Sequence, residues 1–117
     1  MHMTTPKALY ERWINELWAG KPVAAELVSA DFVGHWPNRE VTGPDELQSI
    51  VDETQKTFSD LTFVVEVEPF VDRDLLAARW IGTGATAAEG PTRFTGNDIL
   101  RFADDLFVEY WTGTSGA

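Results

Sequence analysis

The second half of the chain consists of four segments in which apolar and polar side chains alternate, and this pattern constrains the fold most. The segments cover residues 61–71, 75 to about 86, 92–102 and 106–112, and short turns rich in Asp, Gly and Pro join them. Alternation with a period of two is typical of strands that bury one face. Because consecutive strands joined by short turns pair antiparallel, the pattern predicts a sheet of four long strands.

The first half of the chain shows helical patterns. Helices are predicted over residues 5–20, 22–28 and 43–58, with a small hairpin formed by residues 31–37 and 40–42 between the last two. The first helix has a clear start, with Thr5 as its N-cap and Pro6 at its first position, and Gly20 is placed to end it. Helices grouped on one side of an antiparallel sheet make an α+β fold.

Length and hydropathy favour one domain over residues 1–117, with flexible ends at residues 1–4 and 113–117. No run approaches the roughly 18 apolar residues of a membrane span, and the start lacks the features of a secretion signal. The chain contains no cysteine and two histidines, which excludes thiolate sites and disfavours a histidine metal site. We therefore expect a cytoplasmic protein without a metal or other cofactor.

The formal net charge of −10 limits the partners of the chain. Such a surface repels phosphate backbones and anionic lipids, so we expect neither a nucleic-acid nor a membrane partner. Five tryptophans are many for this length. Indole rings combine a large apolar area with an N–H donor and suit cores, pockets and interfaces alike.

Asp98 is the strongest catalytic candidate. Strands disfavour Asp unless its carboxyl is solvated, is hydrogen-bonded or takes part in the chemistry of a site. Alternation places Asp98 on one strand face with Leu100 and Phe102, while residues 97, 99 and 101 share the other. If that face is buried, an apolar environment raises the pKa of Asp98 and makes it a general acid or a neutral donor. The alternative is a structural Asp that accepts a hydrogen bond from an indole N–H or the backbone.

His35 is the second catalytic candidate, since its ordinary pKa suits proton transfer. Alternation makes it face opposite to Trp36, so an inward Trp36 would turn His35 away from a cavity. An aromatic-lined pocket suits a flat, apolar ligand. The predicted ligand-binding residues are Tyr10, Trp13, Trp36, Trp80, Leu100, Phe102 and Trp111. For the tryptophans, ordinary core packing is the alternative.

A pair of carboxylates, Glu66 and Glu68, is predicted on one face of the strand at residues 61–71, with Phe63, Val65 and Val67 on the other. Two carboxylates can divide acid and base roles, although a solvated face is the simpler interpretation. Arg79 could neutralise one of the pair or Asp98.

Several segments together resemble the SnoaL-like polyketide cyclase family of the nuclear transport factor 2-like superfamily. They are residues 17–21 (LWAGK), 32–37 (FVGHWP), 43–47 (GPDEL), 97–102 (NDILRF) and 108–111 (VEYW). The resemblance implies a cone with an internal cavity, in which three N-terminal helices pack in the concave face of a curved, mostly antiparallel sheet of four to six strands. It also implies a homodimer formed through the sheet.

Ketosteroid isomerases of the same superfamily offer a comparison at individual positions. Asp98, followed by Arg101 and Phe102, matches the acidic hydrogen-bond donor of those enzymes. The place of their catalytic base, before a proline, holds Trp36, and the place of their oxyanion Tyr holds Trp13. Since indole offers neither a base nor an acidic hydroxyl, the resemblance argues against isomerase activity on steroids. The late acid of SnoaL-like cyclases is also missing, because no acidic residue follows Trp111.

The resulting functional prediction is a SnoaL-like enzyme that applies cofactor-independent acid–base chemistry to a hydrophobic, ring-containing compound. In this prediction Asp98 and His35 are the catalytic residues. Two alternatives stay open, namely a non-catalytic protein that binds the same class of ligand and a dimeric assembly module of the same fold.

Overall fold

The computed structural model describes residues 4–116 of the chain. The helices are α1 (Pro6–Arg12), which continues into a π-helical turn (Trp13–Leu17), α2 (Ala24–Leu27) and α3 (Gly43–Thr57). The strands are β1 (Val28–Trp36), β2 (Arg39–Thr42), β3 (Ser59–Asp72), β4 (Leu75–Thr86), β5 (Gly90–Ala103) and β6 (Leu106–Gly116). Within residues 4–116, none of the helices has the length and apolar character that a membrane crossing requires.

The six strands form one curved sheet in the order β2-β1-β6-β5-β4-β3, antiparallel except where β1 runs parallel to β6. Helix α3 connects the two edge strands and packs against β1, β2 and β3. Its 15 residues span about 22 Å, close to the roughly 24 Å that separates the edges of a six-stranded sheet. The predicted α+β fold is confirmed.

Helix α1 begins as predicted and ends differently. The Thr5 hydroxyl accepts a hydrogen bond from the backbone N–H of Ala8 at 3.1 Å, and Pro6 occupies the first turn. The backbone N–H of Trp18 then bonds to the carbonyl of Trp13 at 3.1 Å, five residues back, which widens the helix into a π turn. The second helix is shorter than predicted, because β1 already begins at Val28.

A bulge in β6 turns two large side chains toward the helices. Phe102 pairs with Phe107 and Arg101 pairs with Glu109, so Val108 has no partner across the strand pair. Phe107 and Tyr110 are three positions apart and would face opposite ways in a regular strand, but the bulge allows both to be buried. The core lies between this concave face and the helices, and its largest fully buried side chains include Trp13, Tyr10, Phe32 and Phe107.

Two strand predictions need correction. A register shift between Val65 and Val67 places Val67 opposite Arg79. The side chain of Val67 is 44% exposed and does not share the buried face of Phe63 and Val65. Glu66 accepts a hydrogen bond from Arg79 at 2.6 Å, one of the pairings that the sequence suggested. Strand β6 continues to Gly116, beyond its predicted end at residue 112, and pairs there with Phe94. The predicted flexible ends include residues 1–3 and 117, which lie outside the described residues.

Candidate functional site

A cavity of about 130 Å³ lies between the π-helical turn, α3 and the concave face of the sheet. Its walls are mostly aromatic, formed by Trp13, Trp18, Trp36, Phe63, Trp80 and Phe94. The polar side chains in the wall are Asp98, Tyr110, Thr112, Thr114 and Thr54. Trp18, Trp36 and Phe94 are partly exposed, whereas Trp13 is fully buried. The cavity thus has an aromatic floor and an aromatic rim.

Glycines on the concave face make room for two of these rings. Trp80 pairs with Gly96 on β5, and a Cβ at Gly96 would overlap the indole ring of Trp80. Gly34 on β1 makes room for the ring of Trp36 in the same way, since a Cβ at Gly34 would also overlap that ring. The two indoles can therefore lie flat along the sheet instead of projecting from it.

Asp98 is the one buried polar or charged side chain among the described residues, with 1% of its surface exposed. Four side chains donate hydrogen bonds to its carboxyl group. The donors are Tyr110 Oη (2.7 Å to Oδ1), Trp80 Nε1 (3.0 Å to Oδ1), Tyr10 Oη (2.9 Å to Oδ2) and, at a longer 3.5 Å, Thr112 Oγ1 (to Oδ1). Helix α1 and strands β4 and β6 thus all converge on one residue of β5.

Burial dominates the electrostatics of this cluster. It raises the pKa of Asp98 above its ordinary value, although the hydrogen bonds from Tyr110, Trp80, Tyr10 and Thr112 oppose the shift. Burial and the charge of Asp98 also raise the pKa of Tyr10 and of Tyr110. Both tyrosines therefore keep their protons and remain donors. The predicted upward direction of the Asp98 pKa agrees with this environment, and so does the predicted indole partner.

Of the seven side chains that the sequence placed in the pocket, three tryptophans lie in the cavity wall of the structure. Trp13, Trp36 and Trp80 line the cavity. Tyr10 is 1% exposed and reaches the site only through its hydroxyl, which bonds to Asp98. Leu100 shares the inward face, as alternation predicted, but lies in the core behind the cavity wall.

Phe102 and Trp111 do not line the cavity. Phe102 packs on Phe107, with ring centroids 6.3 Å apart. Trp111 is a correction, since it pairs with Ile99 and so lies on the opposite face of the sheet from Asp98. Tyr110 takes the inward place, because neighbouring residues of a strand face opposite ways.

His35 also lies on the outer face and does not meet Asp98. It stacks on Trp111 at 5.5 Å, and its ring nitrogens contact Glu40 (Nδ1, 3.0 Å) and Glu109 (Nε2, 2.8 Å). Hydrogen bonding to Glu109 is the largest cause that raises the pKa of His35. With a carboxylate at each nitrogen, the protonated ring donates both hydrogen bonds. The predicted orientation opposite to Trp36 is confirmed, and the structure separates His35 from Asp98.

Tyr110 is the principal site residue that the sequence interpretation missed. The signal was the pairing of strands β5 and β6, since an outward Ile99 requires an outward Trp111 and hence an inward Tyr110. Phe63 and Phe94 were missed because they lie on different strands, and their side chains meet only in the folded chain.

A second cavity, of about 430 Å³, lies between α1 and β3. Charged side chains of both signs stand around it, among them Lys7, Glu11 and Glu68. Tyr10 lines this cavity as well, but its hydroxyl donates its hydrogen bond to Asp98 and so belongs to the Asp98 cluster. Within residues 4–116, no three His, Asp or Glu side chains come together as a metal site would require. The aromatic cavity is therefore the better candidate site.

Known proteins share this architecture. A protein from Jannaschia that is named as a SnoaL-like polyketide cyclase superposes with a TM-score of 0.82 at 17% identity, over 98% of this chain and 92% of that one. IdmH, named as a polyketide cyclase from Streptomyces antibioticus, gives 0.81 at 21% identity, over 96% and 93%. A protein of ketosteroid isomerase-like fold from Catenulispora acidiphila, solved with trimethylamine, gives 0.79 at 16% identity, over 94% and 86%. At these identities the similarity shows the fold.

Sequence comparison is more specific about the family. No curated protein matches the chain in sequence. The family model described as SnoaL-like domain matches residues 10–110, which include the π turn, the aromatic walls from Trp13 to Phe94, and Asp98 with Tyr110. Because the match covers most of the chain, the protein belongs to the SnoaL-like domain family.

Proposed function

We propose that the protein is a small-molecule enzyme of the cyclase or isomerase type, which transfers a proton to or from a ring-sized compound held in the aromatic cavity. One observation supports this most. Asp98 is a carboxyl in the cavity wall, and burial raises its pKa above the ordinary value of an aspartate. A buried carboxyl with a raised pKa is a stronger base than an exposed one, and its acid form persists to higher pH.

Tyr110 provides a route between Asp98 and the bound compound. Its Oη lies 2.7 Å from Asp98 Oδ1, and Tyr110 itself lines the cavity. A proton accepted at Tyr110 Oη can be balanced by transfer of the tyrosine's own proton to Asp98. The reverse transfer returns a proton to another atom of the compound, so the site needs no net change over a catalytic cycle.

The size of the cavity limits the compound. An engineered protein cavity of about 150 Å³ holds one benzene ring, and the cavity here measures about 130 Å³. One ring therefore fits, or one end of a larger molecule whose remainder leaves past the partly exposed Trp36. The trimethylamine bound to the similar protein from Catenulispora acidiphila is also a ligand that such a space could hold.

The test measures binding and proton transfer without knowledge of the natural substrate. One-ring compounds with an exchangeable C–H group, such as cyclic ketones, cyclic imines and N-alkylpyridinium ions, are incubated in D₂O and followed by NMR. We expect saturable binding and faster deuterium exchange for at least one class, with a loss of roughly 100-fold or more in exchange rate for Asp98→Asn. Asp105→Asn, in the exposed turn before β6, is the control with the same change in charge.

A non-catalytic binding protein is the second candidate. The observation in its favour is Trp36, which lines the cavity at the position of the base of ketosteroid isomerases, so that Asp98 is the one carboxyl among the described residues of the wall. In that case the same compounds would bind with saturation, and none would exchange faster than in buffer. That result would contradict the proposed enzyme.

We also propose a homodimer formed through the outer face of the sheet. Large apolar side chains are exposed on or beside this face, namely Val64 (59%), Val67 (44%), Phe70 (61%), Val71 (40%) and Ile99 (44%). Exposed apolar patches of this kind commonly mark an interface. Sedimentation of the wild type and of Val64→Glu at micromolar concentration tests this proposal, and a monomeric wild type would contradict it.

A further inference from the structure

The directions of the hydrogen bonds around Asp98 determine what its corner of the cavity offers to a ligand. A tyrosine or threonine hydroxyl and an indole N–H each carry one hydrogen. Tyr110, Trp80 and Thr112 all direct that hydrogen to Asp98, and Thr54 directs its own to the carbonyl of Ile50 at 2.8 Å. The hydroxyl oxygens of Tyr110, Thr112 and Thr54 therefore present lone pairs to the cavity, and the indole ring of Trp80 lies beside them in the wall.

The remaining wall points to the same preference. No Lys, Arg or His is among the described residues of the wall, so the charge of Asp98 has no positive partner there. Aromatic faces attract cations, most strongly the face of Trp. The formal net charge of −10 makes the average field around the protein negative, which favours the approach of cations.

We propose that the compound bound in this cavity carries a positive charge on its ring or on an atom attached to the ring. The charge lies against the oxygens of Asp98 and Tyr110 and the indole face of Trp80. This inference rests on the proposed function, because it assigns the ligand class of the same cavity. An oxyanion would meet lone pairs at this corner, where it needs hydrogen-bond donors.

A neutral ligand with a carbonyl group is the competing occupant. It would use an indole N–H at the partly exposed rim of the cavity, that of Trp18 or Trp36. Such a ligand would gain little from the charge of Asp98. The two occupants therefore differ in how strongly their binding depends on that charge.

The test compares N-methylpyridinium with toluene by titration calorimetry. The two molecules have the same shape and number of electrons, and they differ in one ring nitrogen with its positive charge. A purely apolar cavity would prefer toluene. We expect N-methylpyridinium to bind about tenfold more tightly than toluene, and we expect this ratio to fall to one or below in Asp98→Asn.

Controls separate the local charge from folding and net charge. Asp105→Asn makes the same change in net charge at an exposed turn and should preserve the ratio. If Asp98→Asn does not fold, Trp18→Leu, at the partly exposed rim, should lower the affinity for N-methylpyridinium more than that for toluene.

Two results would contradict the inference in different ways. Toluene binding as tightly as N-methylpyridinium in the wild type would overturn the cationic ligand and leave the proposed function standing. Saturable binding of neither compound, together with none from the exchange panel, would overturn both proposals.

Discussion

The two faces of strands β5 and β6 carry two polar clusters that differ in how their charges are balanced. On the inner face, Asp98 is a single buried carboxyl that neutral hydroxyl and indole groups surround. On the outer face, Arg101 bonds to Asp74 at 2.7 Å and approaches Glu109 at 3.4 Å. The outer charges therefore neutralise one another at a half-exposed surface, whereas the inner carboxyl has no positively charged partner among residues 4–116.

The pKa values show what this difference does. Arg101 lowers the pKa of the Asp74 carboxyl by hydrogen bonding, and burial raises that of Asp98. Ion pairing thus stabilises the anionic form of the carboxyl on one face, whereas burial disfavours the anionic form on the other. A carboxyl that is desolvated without a compensating charge is a candidate for acid–base chemistry, whereas an ion-paired carboxyl at the surface is not.

The largest expected effect is on the inner face. In Asp98→Ala, the hydroxyls of Tyr10 and Tyr110 and the indole N–H of Trp80 lose their acceptor. Each buried donor left without an acceptor costs about 1–3 kcal/mol of stability, and removal of the buried charge of Asp98 offsets part of this cost. We therefore expect the free energy of unfolding to fall by about 2–4 kcal/mol. Urea denaturation measures the change. Asp74→Ala, on the outer side, should leave the unfolding midpoint almost unchanged, and equal losses in the two variants would contradict the comparison.

A smaller effect is expected where the aromatic wall lies on the sheet. The added Cβ in Gly96→Ala would overlap the ring of Trp80, and overpacking of this kind costs about 1–3 kcal/mol. Gly113→Ala is the matched control, because Gly113 pairs with Asn97 on the outer face and a Cβ there meets nothing within 4 Å. Thermal unfolding should separate the variants. A Gly96→Ala protein as stable as the control would mean that Trp80 does not occupy this place.

The smallest effect concerns His35 and depends on pH. Its pKa is raised in the folded state, so its contacts with Glu109 and Glu40 add stability below about pH 6.5, the ordinary histidine pKa, and this contribution is lost as the pH rises through the raised value. Wild type should exceed His35→Gln by less than about 1 kcal/mol at pH 6, as expected for exposed pairs. Urea midpoints between pH 6 and 9 should converge, and a difference that is constant with pH would contradict this explanation.

Local features of the sequence were sufficient for the elements and for the direction in which Asp98 faces. The Thr5 cap, the four alternating segments and the turns between them depend on neighbouring residues only. Alternation within a strand follows from backbone geometry, which is why Asp98 and Leu100 were placed on the buried face and His35 opposite Trp36. The short motifs along the chain, from residues 17–21 to residues 108–111, together also sufficed for the family, which the match over residues 10–110 confirms.

Tertiary structure alone decided which side chains meet. The bulges in β3 and β6 depend on the partner strand, and they moved Val67 outward and brought Phe107 and Tyr110 to the same face. The environment of Asp98 depends on groups far away in sequence, such as Tyr10, which is 88 residues distant. Desolvation and hydrogen bonding are sums over everything that surrounds a group in space. For that reason the sequence by itself determined where the carboxyl of Asp98 points. Only the folded chain decided that this carboxyl is buried among aromatic rings and that its pKa is raised.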